Sequence, residues 1–195
     1  MILYYSDASP YARVVRILSR YLAIELEEVI VNPFTDDAQL RRCNPLGKIP
    51  CLLTDIGALY DSRYICRYLD ERLGDGRHHR GLSGNWTLGL LNELVIGLMD
   101  AAVALQVEKT RQEEGTASAK WIERHQQSLH AGLAALSGQL EALPVRRSVV
   151  AIRLLVLLEY LDFRHPELSW RSAQPALIDW LAGHQDPITQ AVAPQ

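Results

Sequence analysis

Residues 44–52 read NPLGKIPCL, in which a strong turn signal runs directly into a short apolar segment. Proline at the entrance of a strand is tolerated at a sheet edge or in a cis turn. A cis Ile49–Pro50 bond would turn the main chain of Ile49 outward, ready to pair with an extended peptide. The alternative is a plain β-turn, because only about one X-Pro bond in twenty is cis. The stretch predicts a turn that leads into a strand, and both interpretations of Pro50 are retained.

The residues on either side of this stretch alternate between strand and helix patterns. Short apolar runs predict strands over residues 2–5, 27–31, 49–54 and 58–60, with a hairpin turn at 55–57. Helical spacing and capping residues predict helices that begin at Pro10, near residue 37 and at Asp61, the last ending at Gly74. The order β-α-β-α-β-β-α predicts a small α/β domain over residues 1–75.

The remaining sequence has helical patterns throughout. Residues 76–86 are polar and glycine-rich and predict a linker, and helices are predicted over residues 87–114, 118–143, 149–161 and 175–184. We therefore expect an all-α helical bundle domain over residues 87–195. His78 and His79 fall in the linker without acidic or cysteine partners at ligand spacing, so a solvated loop is favoured over a metal site.

Composition excludes several classes of protein. The 195 residues are 48% hydrophobic, which excludes intrinsic disorder, and the net charge of −3 excludes a strongly basic nucleic-acid binder. Three cysteines without C-x-x-C spacing indicate neither a disulfide framework nor a redox or zinc motif. The start lacks a signal-peptide pattern, and the apolar run at 149–158 is too short to span a bilayer. We expect a cytoplasmic protein without a membrane partner, a nucleic-acid partner or a bound metal.

Two helix starts in the first domain carry polar side chains suited to ligand binding. Ser9 precedes Pro10 just after the first strand, where unpaired amides and the helix dipole favour an anion. Asp61 could hold an ammonium group while the hydroxyl and amide of Ser62 hold a carboxylate. Those groups are the two ends of an α-amino acid. For each start the alternative is a simple helix cap.

Taken together, these segments resemble the glutathione S-transferase family. The resemblance is strongest in SPYAR at 9–13, NPLGKIPCL at 44–52 and YDSRYICRYLDE at 60–71. GLMD at 97–100 and EYLDFR at 159–164 are similar to bacterial members. The resemblance covers essentially the whole chain, and it implies a thioredoxin-like α/β N-terminal domain followed by an all-α C-terminal domain.

The resemblance also implies roles for individual residues. The hydroxyl of Ser9 would hydrogen-bond the glutathione sulfur and lower the pKa of the thiol. The implied glutathione-binding residues are Lys48, Ile49, Pro50, Asp61, Ser62 and Arg63. Among them, Ile49 would exchange main-chain hydrogen bonds with the cysteinyl unit, and residues 61–62 would bind the γ-glutamyl end. Lys48 and Arg63 would counter the carboxylates of the tripeptide.

A second substrate, a small hydrophobic electrophile, is implied by the same resemblance. Its pocket would form between Ser9 and the first long helix of the second domain. The candidate lining residues are Tyr11, Leu98, Met99, Ala102, Val103 and Gln106. For the residues of the long helix the alternative is packing in the bundle core, because apolar residues at helical spacing usually face the core.

The leading functional hypothesis is a glutathione transferase that conjugates the glutathione thiolate to small electrophilic compounds. Glutathione is its co-substrate, and no permanently bound cofactor is expected. The alternatives are a glutathione-dependent isomerase or dehalogenase, and a non-catalytic binding or regulatory protein with the same fold. Thiol-disulfide exchange is disfavoured, because the nucleophile position holds Ser9 rather than a cysteine. The resemblance further implies a homodimer and a role in detoxification.

One segment departs from the family pattern. A core helix of the second domain usually starts with a Ser/Thr-x-x-Asp capping box, and here the matching residues are 148–151, with Ala151 in place of the acid. The stretch before it, residues 143–147, is several residues short of the pattern. We expect the hydroxyl of Ser148 to accept from the amide of Ala151, without the reciprocal bond.

Overall fold

The computed structural model describes residues 1–35, 38–143 and 146–194. Its N-terminal part alternates strands and helices in the predicted order. The elements are β1 (Ile2–Tyr5), α1 (Pro10–Tyr21), β2 (Glu27–Ile30), α2 (Ala38–Cys43), β3 (Cys51–Thr54), β4 (Gly57–Tyr60) and α3 (Ser62–Arg67), which continues as a π-helical segment, Tyr68–Leu73. Asp37, where the sequence predicts the start of α2, lies outside the described residues.

The strands form one mixed sheet in the order β2-β1-β3-β4. β1 runs parallel to β2 and antiparallel to β3, with Tyr4 opposite Cys51. β3 also runs antiparallel to β4, with Cys51 opposite Tyr60. A buried cluster of Tyr4, Val31, Leu40 and Cys51 lies on the sheet. Burial, together with the nearby Cys43 thiol, raises the pKa of Cys51 to about 11, so this thiol is protonated at neutral pH.

α1 forms because its sequence supplies both a cap and a packing face. Ser9 caps the N terminus, and Pro10 occupies the first turn, where its missing amide would have no intrahelical partner. Val14, Ile17 and Leu18 follow at helical spacing and are all buried. This buried face lies beside α3.

The rest of the described chain is mainly helical. It contains α4 (Trp86–Glu113), α5 (Ala119–Ser137), α6 (Val149–Arg164), α7 (Trp170–Ala173), α8 (Pro175–His184) and α9 (Pro187–Gln190). The predicted helix over 118–143 is too long: α5 ends at Ser137, and a separate 3₁₀ turn covers Leu140–Ala142. The chain leaves the helix at Gly138, a residue with little preference for helical interiors. The predicted architecture, α/β followed by all-α, is confirmed.

Two compact units make up the structure. The first contains Met1–Arg80, Arg147–Ile152 and the residues from Asp186 onward; the second contains Gly81–Arg146 and Arg153–Gln185. Two long-range bonds tie the C-terminal residues to α1: the Arg13 guanidinium donates to the Thr189 carbonyl at 3.1 Å, and the Tyr21 hydroxyl donates to the Asp186 carboxylate at 2.9 Å. Both of these later segments fall in the predicted second domain, 87–195, because no local sequence pattern indicates such contacts.

The segment around His78 is more ordered than the sequence predicts. The Asp70 carboxylate is fully buried and accepts from the His78 amide at 3.3 Å and from both the amide and Nδ1 of His79 at 2.8 Å. His78 itself is only 4% exposed. The prediction of a solvated loop at these histidines is therefore wrong, because hydrogen bonds to the buried Asp70 carboxylate hold this segment against the interior. Over the described ranges, the structure contains no group of three or more His, Cys, Asp or Glu side chains that could hold a metal.

α4 is the longest helix in the described part of the chain, and much of it is apolar. Its 28 residues include a window with a mean hydropathy of 1.8, and by length and composition alone such a helix could cross a membrane. The core helix of a soluble protein passes the same test. α4 carries a buried series at helical spacing: Leu88, Leu91, Asn92, Val95, Leu98, Met99, Ala102, Leu105 and Glu108. Packing inside a helical bundle accounts for this apolar composition.

Candidate active site

The sheet register brings the three predicted site segments to one edge. β3 is antiparallel to both of its neighbours, so the start of β3 lies beside the ends of β1 and β4, with Cys51 between Tyr4 and Tyr60. Ser9 follows β1, Ile49 precedes β3 and Asp61 follows β4. Since neighbouring strands lie about 4.8 Å apart, the three segments span roughly 10 Å, the length of a short peptide.

Ser9 is the N-cap of α1 and is half-buried. Its Oγ accepts from the Ala12 amide at 3.2 Å, and its own amide donates to the Ser6 carbonyl at 3.0 Å. A hydroxyl has two lone pairs and one proton, so accepting this bond leaves the proton available for an anion. The cap and the anion-binding interpretation of Ser9 are thus compatible.

Arg16, which is not among the predicted site residues, positions the loop that carries Ser9. Its guanidinium is largely buried, lies 4.3 Å from the Tyr5 ring centroid, and contacts Asp7 at 3.2 Å and Glu28 at 2.9 Å. Burial alone would raise the pKa of Glu28, but the guanidiniums of Arg20 and Arg16 lower it below its usual value. The loop after β1 is therefore anchored to β2 by an ionised pair. A buried arginine seven residues after the cap gives no local signal of this role.

The Ile49–Pro50 bond is cis, so the cis interpretation of this proline is confirmed. Pro50 is buried, Ile49 is half-buried and the Lys48 side chain is exposed. Asn44, with only 1% exposure, closes the turn before them: its Nδ2 donates to the Lys48 carbonyl at 2.7 Å. From the sequence alone, Asn44 is only part of a turn signal.

Asp61 adopts an unusual backbone conformation at the start of α3. Its φ of 62° lies in the left-handed region, which costs a residue with a side chain of order 1–3 kcal/mol unless surrounding contacts hold it. The carboxylate accepts from the Arg63 amide at 2.8 Å, and the Arg63 guanidinium contacts both carboxylate oxygens at 3.2 Å. Both side chains are about half exposed. Ser62, half-buried, is the first residue of the helix.

The candidate electrophile contacts divide into two groups. Leu98, Met99 and Ala102 are at most 4% exposed, and a Cβ on Gly132 of α5 would overlap the Leu98 side chain. The carbonyl of Ala102 faces His165 Nε2 at 2.8 Å. The other candidates, Tyr11, Val103 and Gln106, are half-buried. The first group therefore lies in the interior of the protein.

Two family models match the chain: the glutathione S-transferase N-terminal domain over residues 3–77 and the glutathione S-transferase C-terminal domain over residues 119–183. Together they span most of the sequence. The chain therefore belongs to the glutathione S-transferase family, and its first domain has the thioredoxin-like fold of that family.

Two solved structures and one sequence relative agree with this assignment. A glutathione S-transferase from Methylobacillus flagellatus KT, with glutathione bound, is 31% identical, with a TM-score of 0.89 over 100% of this chain and 99% of that chain. A glutathione transferase family member from Pseudomonas fluorescens Pf-5, with bound glutathione, is 34% identical, with a TM-score of 0.86 over 100% and 98%. An uncharacterised GST-like protein of Escherichia coli K12, YibF, is 25% identical over 89% of this chain and 88% of its own length.

Proposed function

We propose that this protein is a glutathione transferase that binds glutathione along the sheet edge after β1 and β4 and conjugates it to small electrophiles. The observation that carries the proposal is the register that aligns Ser9, Ile49 and Asp61. Two relatives at 31% and 34% identity have glutathione bound, which supports glutathione as the ligand.

Each segment supplies one part of the binding chemistry. The Asp61 carboxylate would pair with the ammonium of the γ-glutamyl unit, and the Ser62 hydroxyl and amide would donate hydrogen bonds to its carboxylate. The main chain of Ile49 would bond with the cysteinyl unit, packed beside Pro50. Lys48 and Arg63 would lie near the carboxylates, with Arg63 exchanging part of its contact with Asp61 for the ligand.

Ser9 would then act on the sulfur. Its proton, donated to the glutathione thiolate, stabilises the charged form and so lowers the pKa of the thiol. The positive end of the α1 dipole adds to this effect, because the sulfur would lie at the helix N terminus. The result is a larger fraction of nucleophile at neutral pH, attacking an electrophile held nearby.

Glutathione affinity tests the assigned site. Asp61→Ala should weaken binding by about 1.5–3 kcal/mol in calorimetric titration, the value of a charge-assisted hydrogen bond. Asp75→Ala is a matched control, because Asp75 makes the same contacts to the residue two positions on: the Arg77 amide donates to it at 3.1 Å, and Arg77 Nε lies 3.7 Å away. Equal affinities for both variants and the parent would refute the role of Asp61.

Turnover separates catalysis from binding. With glutathione bound, a panel of aryl halides, epoxides and α,β-unsaturated carbonyls should include at least one class that the protein conjugates. Turnover confined to isomerisation or dehalogenation would identify the alternative chemistry of the same thiolate. Binding without turnover on any class would leave the binding-protein alternative.

We also propose, from the family resemblance, that the protein acts in detoxification as a cytoplasmic homodimer. Trp86 and Leu90 support a second copy as partner, because they lie one turn apart on α4 and are 91% and 72% exposed. Light scattering should give a mass well above the 21.9 kDa of one chain. A mass of one chain at micromolar concentration would contradict the dimer.

A further inference from the structure

The chain contains two Asn-Pro turns with the same local geometry. In the turn between β2 and α2, the Asn32 side-chain oxygen accepts from the Phe34 amide at 3.0 Å. In the turn between α2 and β3, the Asn44 side-chain oxygen accepts from the Leu46 amide, also at 3.0 Å. Each asparagine thus closes an Asx-turn, the contact that this residue makes in many loops.

The two turns differ at the side-chain nitrogen, Nδ2, of the asparagine. Asn32 is exposed, whereas Asn44 is 1% exposed and its Nδ2 donates to the Lys48 carbonyl at 2.7 Å. The main-chain N–H of Asn44 also donates to the Leu40 carbonyl at 2.7 Å, which ties the turn to the end of α2. Both the oxygen and the nitrogen of the buried Asn44 side-chain amide are therefore hydrogen-bonded. The nitrogen bonds across the turn to Lys48, the residue before Ile49.

This contact acts on the peptide group that presents Ile49. The Lys48 carbonyl and the Ile49 N–H belong to one planar peptide unit, and in a trans unit they point in opposite directions. Fixing the Lys48 carbonyl therefore fixes the direction of the Ile49 N–H. A hydrogen bond to the carbonyl also polarises the N–H of the same unit and makes it a better donor.

We propose that Asn44 is a positioning residue for glutathione: it orients the Lys48–Ile49 peptide so that the Ile49 N–H meets the cysteinyl main chain of the ligand. This inference rests on the proposed function. Asn44 does not contact the ligand in this arrangement. Its effect is confined to the part of glutathione that bonds with Ile49, and the γ-glutamyl end, held by Asp61 and Ser62, is independent of it.

The test compares two ligands and two pairs of variants. Asn44→Asp keeps the acceptor of the Asx-turn and replaces the Nδ2 donor, while Asn44→Ala removes the donor without adding a charge. Asn32→Asp and Asn32→Ala make the same changes in the exposed turn. Glutathione affinity is measured by calorimetry, and γ-glutamylmethylamide, which lacks the cysteinyl main chain beyond the first amide, is titrated by NMR.

We expect both Asn44 variants to bind glutathione about tenfold more weakly, the effect of one lost hydrogen bond, with unchanged affinity for γ-glutamylmethylamide. Both Asn32 variants should match the parent for both ligands. Unchanged glutathione affinity in the Asn44 variants would overturn the inference. An equal loss for both ligands would also overturn it, because it would show general damage to the site.

A measurement on the parent protein keeps the test independent of variant folding. Addition of glutathione should shift the Ile49 amide resonance downfield and slow its hydrogen exchange, and one Asn44 Nδ2 proton should be protected before ligand is added. An Ile49 amide that glutathione leaves unperturbed would overturn the inference. Absence of glutathione binding to the parent would instead refute the proposed function itself.

Discussion

Two serines, Ser9 and Ser148, make the same local contact at two helix starts. Ser9 Oγ accepts from the amide of Ala12 at 3.2 Å, and Ser148 Oγ accepts from the amide of Ala151 at 3.1 Å. The predicted cap at Ser148 is thus confirmed. Both boxes are half complete, because alanine occupies the third helical position in each and cannot bond back to the cap amide.

Their surroundings differ. Ser9 is half-buried at the sheet edge, and the first helical residue after it is a proline. Ser148 is 8% exposed, and the amide after it donates to the His78 carbonyl at 2.8 Å. One serine keeps a proton at the proposed ligand site, while the other closes a helix end inside the protein. The same capping contact can therefore have a different role in different surroundings.

The largest expected effect is on catalysis. Ser9→Ala should lower turnover about 10- to 100-fold and raise the apparent pKa of bound glutathione, because the thiolate loses a hydrogen bond worth about 1.5–3 kcal/mol. Glutathione affinity should change less, since the proposed contact of Ser9 is with the sulfur alone. Ultraviolet titration of the bound thiolate measures the pKa.

Ser148→Ala is the matched control for that measurement, and its turnover and thiolate titration should follow the parent. A thiolate titration curve unmoved by Ser9→Ala would remove the proposed role of Ser9. A shift of equal size in both variants would show that loss of a helix cap, rather than loss of a donor to sulfur, is responsible.

For the free energy of unfolding, we expect the larger effect at Ser148 and the smaller one at Ser9. Ser148→Ala should lower the free energy of unfolding by about 1–2 kcal/mol, because the Ala151 amide loses its acceptor where water has little access. Ser9→Ala should cost about 0.5–1 kcal/mol, since water can replace the hydroxyl at a half-buried cap. Urea denaturation of the two variants gives the comparison, and a larger loss at Ser9 would contradict it.

Completing the half box at Ser148 should have a smaller, opposite effect. Ala151→Asp supplies an acceptor for the Ser148 amide and a favourable charge at the helix N terminus, and we expect a gain of about 1 kcal/mol or a few degrees in Tm. Differential scanning calorimetry measures the change. A lower Tm would mean that the aspartate is buried without a partner, since Ala151 is only 2% exposed.

α9 contains the complete version of the same motif. Asp186 accepts from the Ile188 and Thr189 amides at 3.0 Å, and the Thr189 hydroxyl accepts from the Asp186 amide at 3.0 Å. Burial alone would raise the pKa of Asp186, but the Thr189 amide, the Tyr21 hydroxyl and the Arg147 charge lower it. A carboxyl whose pKa is lower in the folded state stabilises the fold above its unfolded pKa and loses that contribution as the pH falls through the folded value.

The smallest expected effect is therefore the one that depends on pH. Asp186→Asn should cost less than about 1 kcal/mol at neutral pH; its difference from the parent should begin to shrink as the pH falls below about 4 and should vanish only below the lowered folded-state pKa. The loss in Ser148→Ala should stay constant over the same range, because serine does not titrate there. Urea titrations at several pH values would show a constant difference for Asp186→Asn if its charge had no role.

Local sequence patterns account for much of the fold and for the identity of the site segments. Ser9-Pro10 starts α1, the turn at 44–47 precedes β3, and Asp61 starts α3 as predicted. These features are encoded within three or four residues, because caps and turns are satisfied by near neighbours. α8 spans the predicted 175–184 and begins with a proline, which is well suited to the first turn of a helix.

Contacts distant in sequence were decided only by the tertiary structure. Arg13 bonds with Thr189, 176 residues away, and the buried Asp70 carboxylate turns the polar histidine segment inward. Leu98 packs so closely against Gly132 that a Cβ on this glycine would overlap it. Leu98, a predicted pocket residue, therefore lies inside the helical unit. The sequence by itself determined which residues start, cap and turn each element, since those interactions are short-range. Which of the two serine caps lies at the proposed ligand site depends on the sheet register and on burial, which arise only when distant segments pack together.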